Sequence, residues 1–298
     1  MEHSRRRGGR ALPHRHPGEH LADPGDAIRS RRLALPTGLT CHVLEWNPAG
    51  ATTFVLVHGF LDFAYGWHEV AAILARHAHV VAVDLRGHGD SDWIGSGGYY
   101  HYVDYVADLD AVIARLAHER VIVVGHSMGG GATSYWAGAR PGRAHAIALL
   151  EGLGPPDQSE VELAPRTGHW IDTWRTARAA WSPMATHAIA AARLRKHDRL
   201  LAEPLALRLA QHGTRAVAGG YVWKHDPLHR TMGPYPFRRD AAAQYWRRIA
   251  CPTLIVDGAE STLNLSIAER EVRRAYFPDA RYEILAGAGH MMARHVPG

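Results

Sequence analysis

Cysteine is nearly absent, with only Cys41 and Cys251 among 298 residues. The two lie far apart and outside any metal-type spacing, which argues against a disulfide framework or a cysteine-bound zinc as an organising device. Long apolar runs are missing as well. No stretch approaches the roughly 18–20 residues that a membrane-spanning helix needs. The first 30 residues contain Arg5, Arg6 and Arg7 but no apolar segment behind them; Pro, Gly, His and Arg dominate instead. That composition does not read as a secretory leader. It predicts a disordered tail over residues 1–30, with the cytoplasm as the default compartment.

Charge of one sign is in modest excess, a formal +5. The arginines are spread over the tail, residues 193–199 and residues 238–248, without a recognition motif around them, so nucleic acid is not expected as a partner. Hydrophobic residues at 46% and charged residues at 21% are ordinary for a globular chain. The length suits one large α/β domain with a subdomain. No internal repeat is visible.

The chain alternates between buried strands and helices. Arg32–Leu35 and Thr40–Trp46 read as two short strands around the turn Pro36–Thr37–Gly38. Thr53–Val57, Val80–Val83, Val121–Val124 and Ala146–Leu150 are short, continuous apolar runs, as expected of strands covered on both faces. Val70–Leu74 falls in a helix. Tyr102, Val106, Leu109, Ile113 and Leu116 recur at helical spacing, and Met128–Ala139 is a further helix. This alternation predicts βαβ units and a mostly parallel, doubly wound sheet. The rhythm breaks over residues 154–248, a stretch rich in Trp, Ala, Arg and His that reads as a helical insertion. It resumes with a strand at Pro252–Val256, a helix near Ile267–Phe277 and a strand at Arg281–Leu285. The expected organisation is a tail (1–30), a core in two pieces (31–153 and 249–298) and the insertion between them.

The most specific local pattern is Gly125–His126–Ser127–Met128–Gly129, which follows a strand and opens a helix. A turn this tight needs very small neighbours two residues either side of the serine. It then presents the hydroxyl above the sheet edge at the positive end of a helix. Four motifs stand in order: His58–Gly59–Phe60, Asp84–Leu85–Arg86–Gly87–His88–Gly89–Asp90–Ser91, the turn at Ser127, and Gly287–Ala288–Gly289–His290. Together they resemble the α/β-hydrolase fold superfamily over roughly residues 31–151 and 249–291.

The resemblance implies Ser127 as nucleophile and His290 as its base. It also implies an oxyanion hole made of the backbone N–H groups of Phe60 and Met128. His126 is expected to pack, with its ring turned from Ser127. The loop 84–91 is expected to be structural, with Arg86 and Asp84 paired. The third member of the triad is less direct, because the usual acid position holds Ser261. Glu151, at the end of the strand Ala146–Leu150, is preferred, with Glu260 and Asp257 as alternatives. All three keep the chain order Ser, acid, His.

A serine here points to acyl transfer on esters, thioesters, lactones or related groups, through an acyl-enzyme and without a cofactor or metal. The insertion is expected to wall a pocket for a small, mainly apolar substrate, its Trp residues pointing that way. A non-catalytic ligand-binding or interaction protein of the same fold is the alternative. Only eight residues follow His290, where relatives add a closing helix, so sheet surface left exposed and an under-supported His290 loop are expected.

Overall fold

The computed structural model describes residues 28–116, 118–177, 181–263, 265–277 and 279–298. The expected tail lies outside them up to residue 27, but its last two residues, Arg29 and Ser30, are not tail: they open the first strand, paired with Glu45 and Leu44. Eight strands form one sheet: β1 (Arg29–Ala34), β2 (Thr40–Trp46), β3 (Thr52–Val57), β4 (His79–Asp84), β5 (Arg120–His126), β6 (Ala146–Leu150), and, after a separate hairpin of β7 (Thr214–Val217) and β8 (Gly220–Trp223), β9 (Thr253–Gly258) and β10 (Arg281–Leu285). Their spatial order is β1-β2-β4-β3-β5-β6-β9-β10. From β4 to β10 every neighbouring pair is parallel, whereas β2 runs antiparallel to both β1 and β4.

The continuous apolar runs are explained by burial on both faces. Val55 and Val57 of β3 join Val81 and Val83 of β4 in one cluster, while Leu56, Val80 and Ala82 join another on the opposite face. This is the period of two of a strand, with both faces covered. On the first side lie α2 (Tyr102–Leu116) and α3 (Met128–Ala139), which supply Leu109, Val112 and Trp136. On the second lies α1 (His68–Leu74), which supplies Ala71. Each fully buried aliphatic side chain of this kind contributes about 1.5–3 kcal/mol.

Residues 154–248 interrupt the sheet between β6 and β9. They contain α4 (Leu163–Ala177), α5 (His187–His197), α6 (Glu203–Gly213), the β7–β8 hairpin, a short 3₁₀ turn (Pro227–Arg230) and α7 (Arg239–Trp246). The hairpin departs from the expected all-helical insertion. Its four-residue strands are too short to carry a periodic signal. Its turn uses Gly219 and Gly220, at φ of 86° and 135°. Helices α5 and α6 close over their own apolar cluster, including Met184, Leu201 and Leu209. By contrast, Ala242, Ala243 and Trp246 of α7 lie in the main core beside α3. The chain ends with α8 (Ile267–Arg274), β10 and a single turn, α9 (Met292–His295).

The expected pairing of Arg86 with Asp84 is not found. Asp84 stands in register with His42 of β2 and bonds its ring Nδ1 at 2.6 Å. It also accepts the N–H groups of Ala64 and Asp90. Arg86, past the strand end, faces α2 instead. There it donates from two nitrogens to Asp108, at 2.6 and 2.7 Å, with both side chains buried. The loop 84–91 therefore ties β2 on one side and α2 on the other. Among the described residues, no helix is long and apolar enough to cross a membrane.

Candidate active site

The parallel strands deliver the candidate residues to one edge of the sheet. Ser127 follows β5 directly, at φ 51° and ψ −117°, a region that few non-glycine residues occupy. Two main-chain hydrogen bonds hold it there: its N–H donates to the Leu150 carbonyl at 2.9 Å, and its own carbonyl accepts from Gly131 at 3.1 Å. The flanking glycines are required by space. A Cβ at Gly129 would run into the carbonyls of Val57 and His58, and one at Gly125 into the Gly129 carbonyl and the Thr133 hydroxyl.

His58 shapes the loop after β3. Its Nε2 accepts the Leu85 N–H at 3.0 Å, so the proton sits on Nδ1, which donates to the Gly59 carbonyl at 2.7 Å. A trans peptide sets its carbonyl and N–H on opposite sides. Pinning the Gly59 oxygen therefore turns the Phe60 N–H the other way. The Phe60 side chain is 51% exposed, so only its main chain is held by this device.

Glu151 follows β6 at φ 44°, its N–H bonded to the Val256 carbonyl of β9 at 2.8 Å. One carboxylate oxygen accepts the Gly258 N–H at 3.1 Å; the other accepts the Ser261 hydroxyl at 2.9 Å and lies 2.5 Å from Nδ1 of His290. Burial alone would raise this carboxyl. The hydrogen bonds from His290, Gly258 and Ser261 outweigh it and hold the group below the ordinary carboxylate range. The other two acids do not reach His290. Asp257 lines the same cavity, but it is ion-paired with Arg270 at 3.2 Å and hydrogen-bonded by the Tyr282 hydroxyl. The Glu260 side chain is exposed.

Two features were not anticipated from the sequence. Ser261, at the position where the motif usually carries an acid, donates its hydroxyl to Glu151. His126 was expected only to pack, yet its ring Nε2 donates to the His290 carbonyl at 2.8 Å, the two rings lying 4.7 Å apart. Burial, and then the neighbouring His290, push His126 down to about 3, so it is neutral wherever the protein is folded near neutrality. The His290 loop is also better supported than expected. The Gly289 N–H donates to Nδ1 of His295, whose Nε2 bonds Asp198 at 2.8 Å, and Arg294 pairs with Asp62.

Ser127, Met128, Phe60, Glu151 and His290 all line one cavity of about 680 Å³. Its walls are mainly apolar, from Pro155, Pro156, Tyr235, Phe237, Leu263 and Leu265 among others. Of the insertion's tryptophans, Trp246 alone among the described residues reaches it. Trp170 and Trp174 stack on each other at 5.5 Å, and Trp181 meets His225 edge-on. Tryptophan was thus a poor guide to the pocket. The one His/acid cluster with metal-like spacing among the described residues is His42, Asp84 and Asp90. Its atoms are engaged, His42 with Asp84 and Ser30, and Asp90 with Lys224.

A parallel sheet with a strained serine turn, a histidine–carboxylate pair and a pinned His–Gly loop at its carboxyl edge defines a class of hydrolase-like folds. The model of the alpha/beta hydrolase fold matches residues 52–293, and the chain belongs to that family. It is 27% identical over 185 residues to a serine hydrolase-like protein of Danio rerio, covering 61% of this chain but only 57% of that protein. A serine hydrolase-like protein of Dictyostelium discoideum is 24% identical over 283 residues, covering 87% of this chain and 76% of the relative. Among solved structures, the thioesterase domain from the curacin biosynthetic pathway superposes with a TM-score of 0.82 at 27% identity, covering 91% of this chain and 96% of that domain. Both relatives carry serine hydrolase-like names, and the chain spans little more than half the length of the first.

Proposed function

We propose that the chain is a serine hydrolase that cleaves an ester or thioester of a small acyl compound through an acyl-enzyme. The observation that carries this reading is the 2.5 Å contact between His290 Nδ1 and Glu151, in the cavity that Ser127 also lines. Glu151, held ionised, keeps the imidazole proton on Nδ1, which leaves Nε2 as the base. In this reading the Ser127 hydroxyl attacks the carbonyl while Nε2 takes its proton. The backbone N–H groups of Phe60 and Met128 hold the oxyanion, and the protonated histidine gives its proton to the leaving group. Water, deprotonated by the same nitrogen, then releases the acid. Residues 154–248 act as a cap, supplying Pro155, Pro156, Tyr235 and Phe237 to the wall. The thioesterase domain supports thioesters among the substrates.

Labelling with a fluorophosphonate probe tests this. The wild-type protein should be labelled and should hydrolyse p-nitrophenyl butyrate, with both signals lost in Ser127→Ala. A folded wild-type protein that resists the probe would instead identify a ligand-binding member of the fold.

A further inference from the structure

The residues lining the cavity include two acids, Glu151 and Asp257, and two arginines, Arg238 and Arg270. Glu151 is bound to His290, and Asp257 is matched by Arg270. Nearby arginines are matched too: Arg239 and Arg273 pair with Glu269, and Arg166 donates to the Gly233 carbonyl. Arg238 differs. Among the described residues no side chain or carbonyl takes its guanidinium, although its backbone is well fixed. Its carbonyl accepts the Ala242 N–H in the first turn of α7, and the next residue's N–H donates to Asp157 at 2.7 Å. Arg238 both lines the cavity and is exposed, which puts the residue at the rim, where the apolar cavity opens to solvent.

We infer that Arg238 is an anion-recognition residue, and that the natural substrate is an acyl compound with a negatively charged group, a carboxylate or a phosphate, that lies at the cavity mouth while its apolar part fills the interior. A guanidinium is suited to this because it presents a planar fork to either anion. Water around the exposed side chain moderates the gain to a preference of about fivefold to tenfold. This inference rests on the serine hydrolase reading for its substrate, but the recognition itself can be measured without turnover.

The test compares three esters of matched length: a neutral p-nitrophenyl ester, a p-nitrophenyl hemiester ending in a carboxylate, and one ending in a phosphate. The wild-type protein should favour one or both anionic esters in kcat/KM, and which one identifies the anion. Arg238→Met should abolish the preference by raising KM for the anionic ester, with the neutral ester unaffected. Arg238→Lys, which keeps the charge but loses the fork, should fall between. Calorimetry on Ser127→Ala with the intact methyl hemiester of adipic acid reads the same subsite in the absence of chemistry. Equal kcat/KM for all three esters, or hemiester binding to Ser127→Ala that is unchanged by adding Arg238→Met, would overturn the inference. Absence of fluorophosphonate labelling would overturn the hydrolase reading alone.

Discussion

Glu151 carries an unusual number of partners for one carboxylate: a backbone N–H, a serine hydroxyl and an imidazole. If it orients His290, Glu151→Gln should lower kcat by about 10³–10⁴ by favouring the wrong tautomer, while Asp257→Asn and Glu260→Gln stay near the wild-type rate. Ser261→Ala, which removes one neutral donor, should cost about 1 kcal/mol, seen as a several-fold fall in kcat. His126 holds His290 from the other side, through the His290 carbonyl. Replacing it with Phe keeps a ring but removes the donor, so kcat should drop roughly tenfold at constant KM, and His126→Asn should restore part of it. A fall of the same size in both variants would reduce His126 to a packing residue.

Between elements, the pair Arg86–Asp108 is the most consequential contact outside the site. It joins the loop after β4 to α2, and both side chains are buried. Removing Asp108 leaves the buried Arg86 with only the partly exposed Asp104, 3.2 Å from its other terminal nitrogen. Asp108→Leu should therefore destabilise the fold by about 3–5 kcal/mol, and the double change Arg86→Met with Asp108→Leu should recover much of the loss. Urea midpoints at constant m-value would measure both. Additive losses would mean that the pair is not coupled. The same loop approaches the insertion through the Asp226 N–H, which donates to the Gly87 carbonyl at 2.8 Å. Part of the measured effect belongs to that junction.

Across the described residues of the whole molecule, several histidines are held toward the neutral form, among them the buried His88, His126 and His229 and the half-buried His225. Burial is the first cause in each: His126 and His229 are pushed down to about 3, His225 to about 4, and His88 well below its ordinary value. In the unfolded chain they protonate near 6.5. Below that pH the unfolded state binds protons that the folded state refuses. Stability is therefore complete above about pH 6.5 and is lost progressively as pH falls toward 3–4. Each fully neutral histidine costs at most about 1.4 kcal/mol per pH unit in that window. The urea midpoint should fall steeply from pH 6.5 to 5, and His229→Gln should flatten the slope. A midpoint indifferent to pH over this range would contradict the burial of these rings.

Much of this protein is local in origin and hence readable along the chain. Thr53–Val57 and Ala146–Leu150 announce buried parallel strands, because a strand covered on both faces needs apolar residues at every position. Gly125 and Gly129 announce the turn at Ser127, since nothing larger fits at Gly129 beside the Val57 and His58 carbonyls or at Gly125 beside the Gly129 carbonyl. What the sequence could not decide is which distant groups meet. The sheet order sets β6 beside β9 and so brings Glu151, one of three candidate acids, under Ser261 and against His290. Arg86 was matched with its sequence neighbour until the chain direction after β4 aimed it at α2. The tryptophans pointed toward the pocket, yet most stack elsewhere, because aromatic composition records buried area and not its location. Side-chain type and spacing determine the strands and the strained turn that carries Ser127. Partnerships across the sheet depend on strand order and loop direction, which only the folded chain fixes.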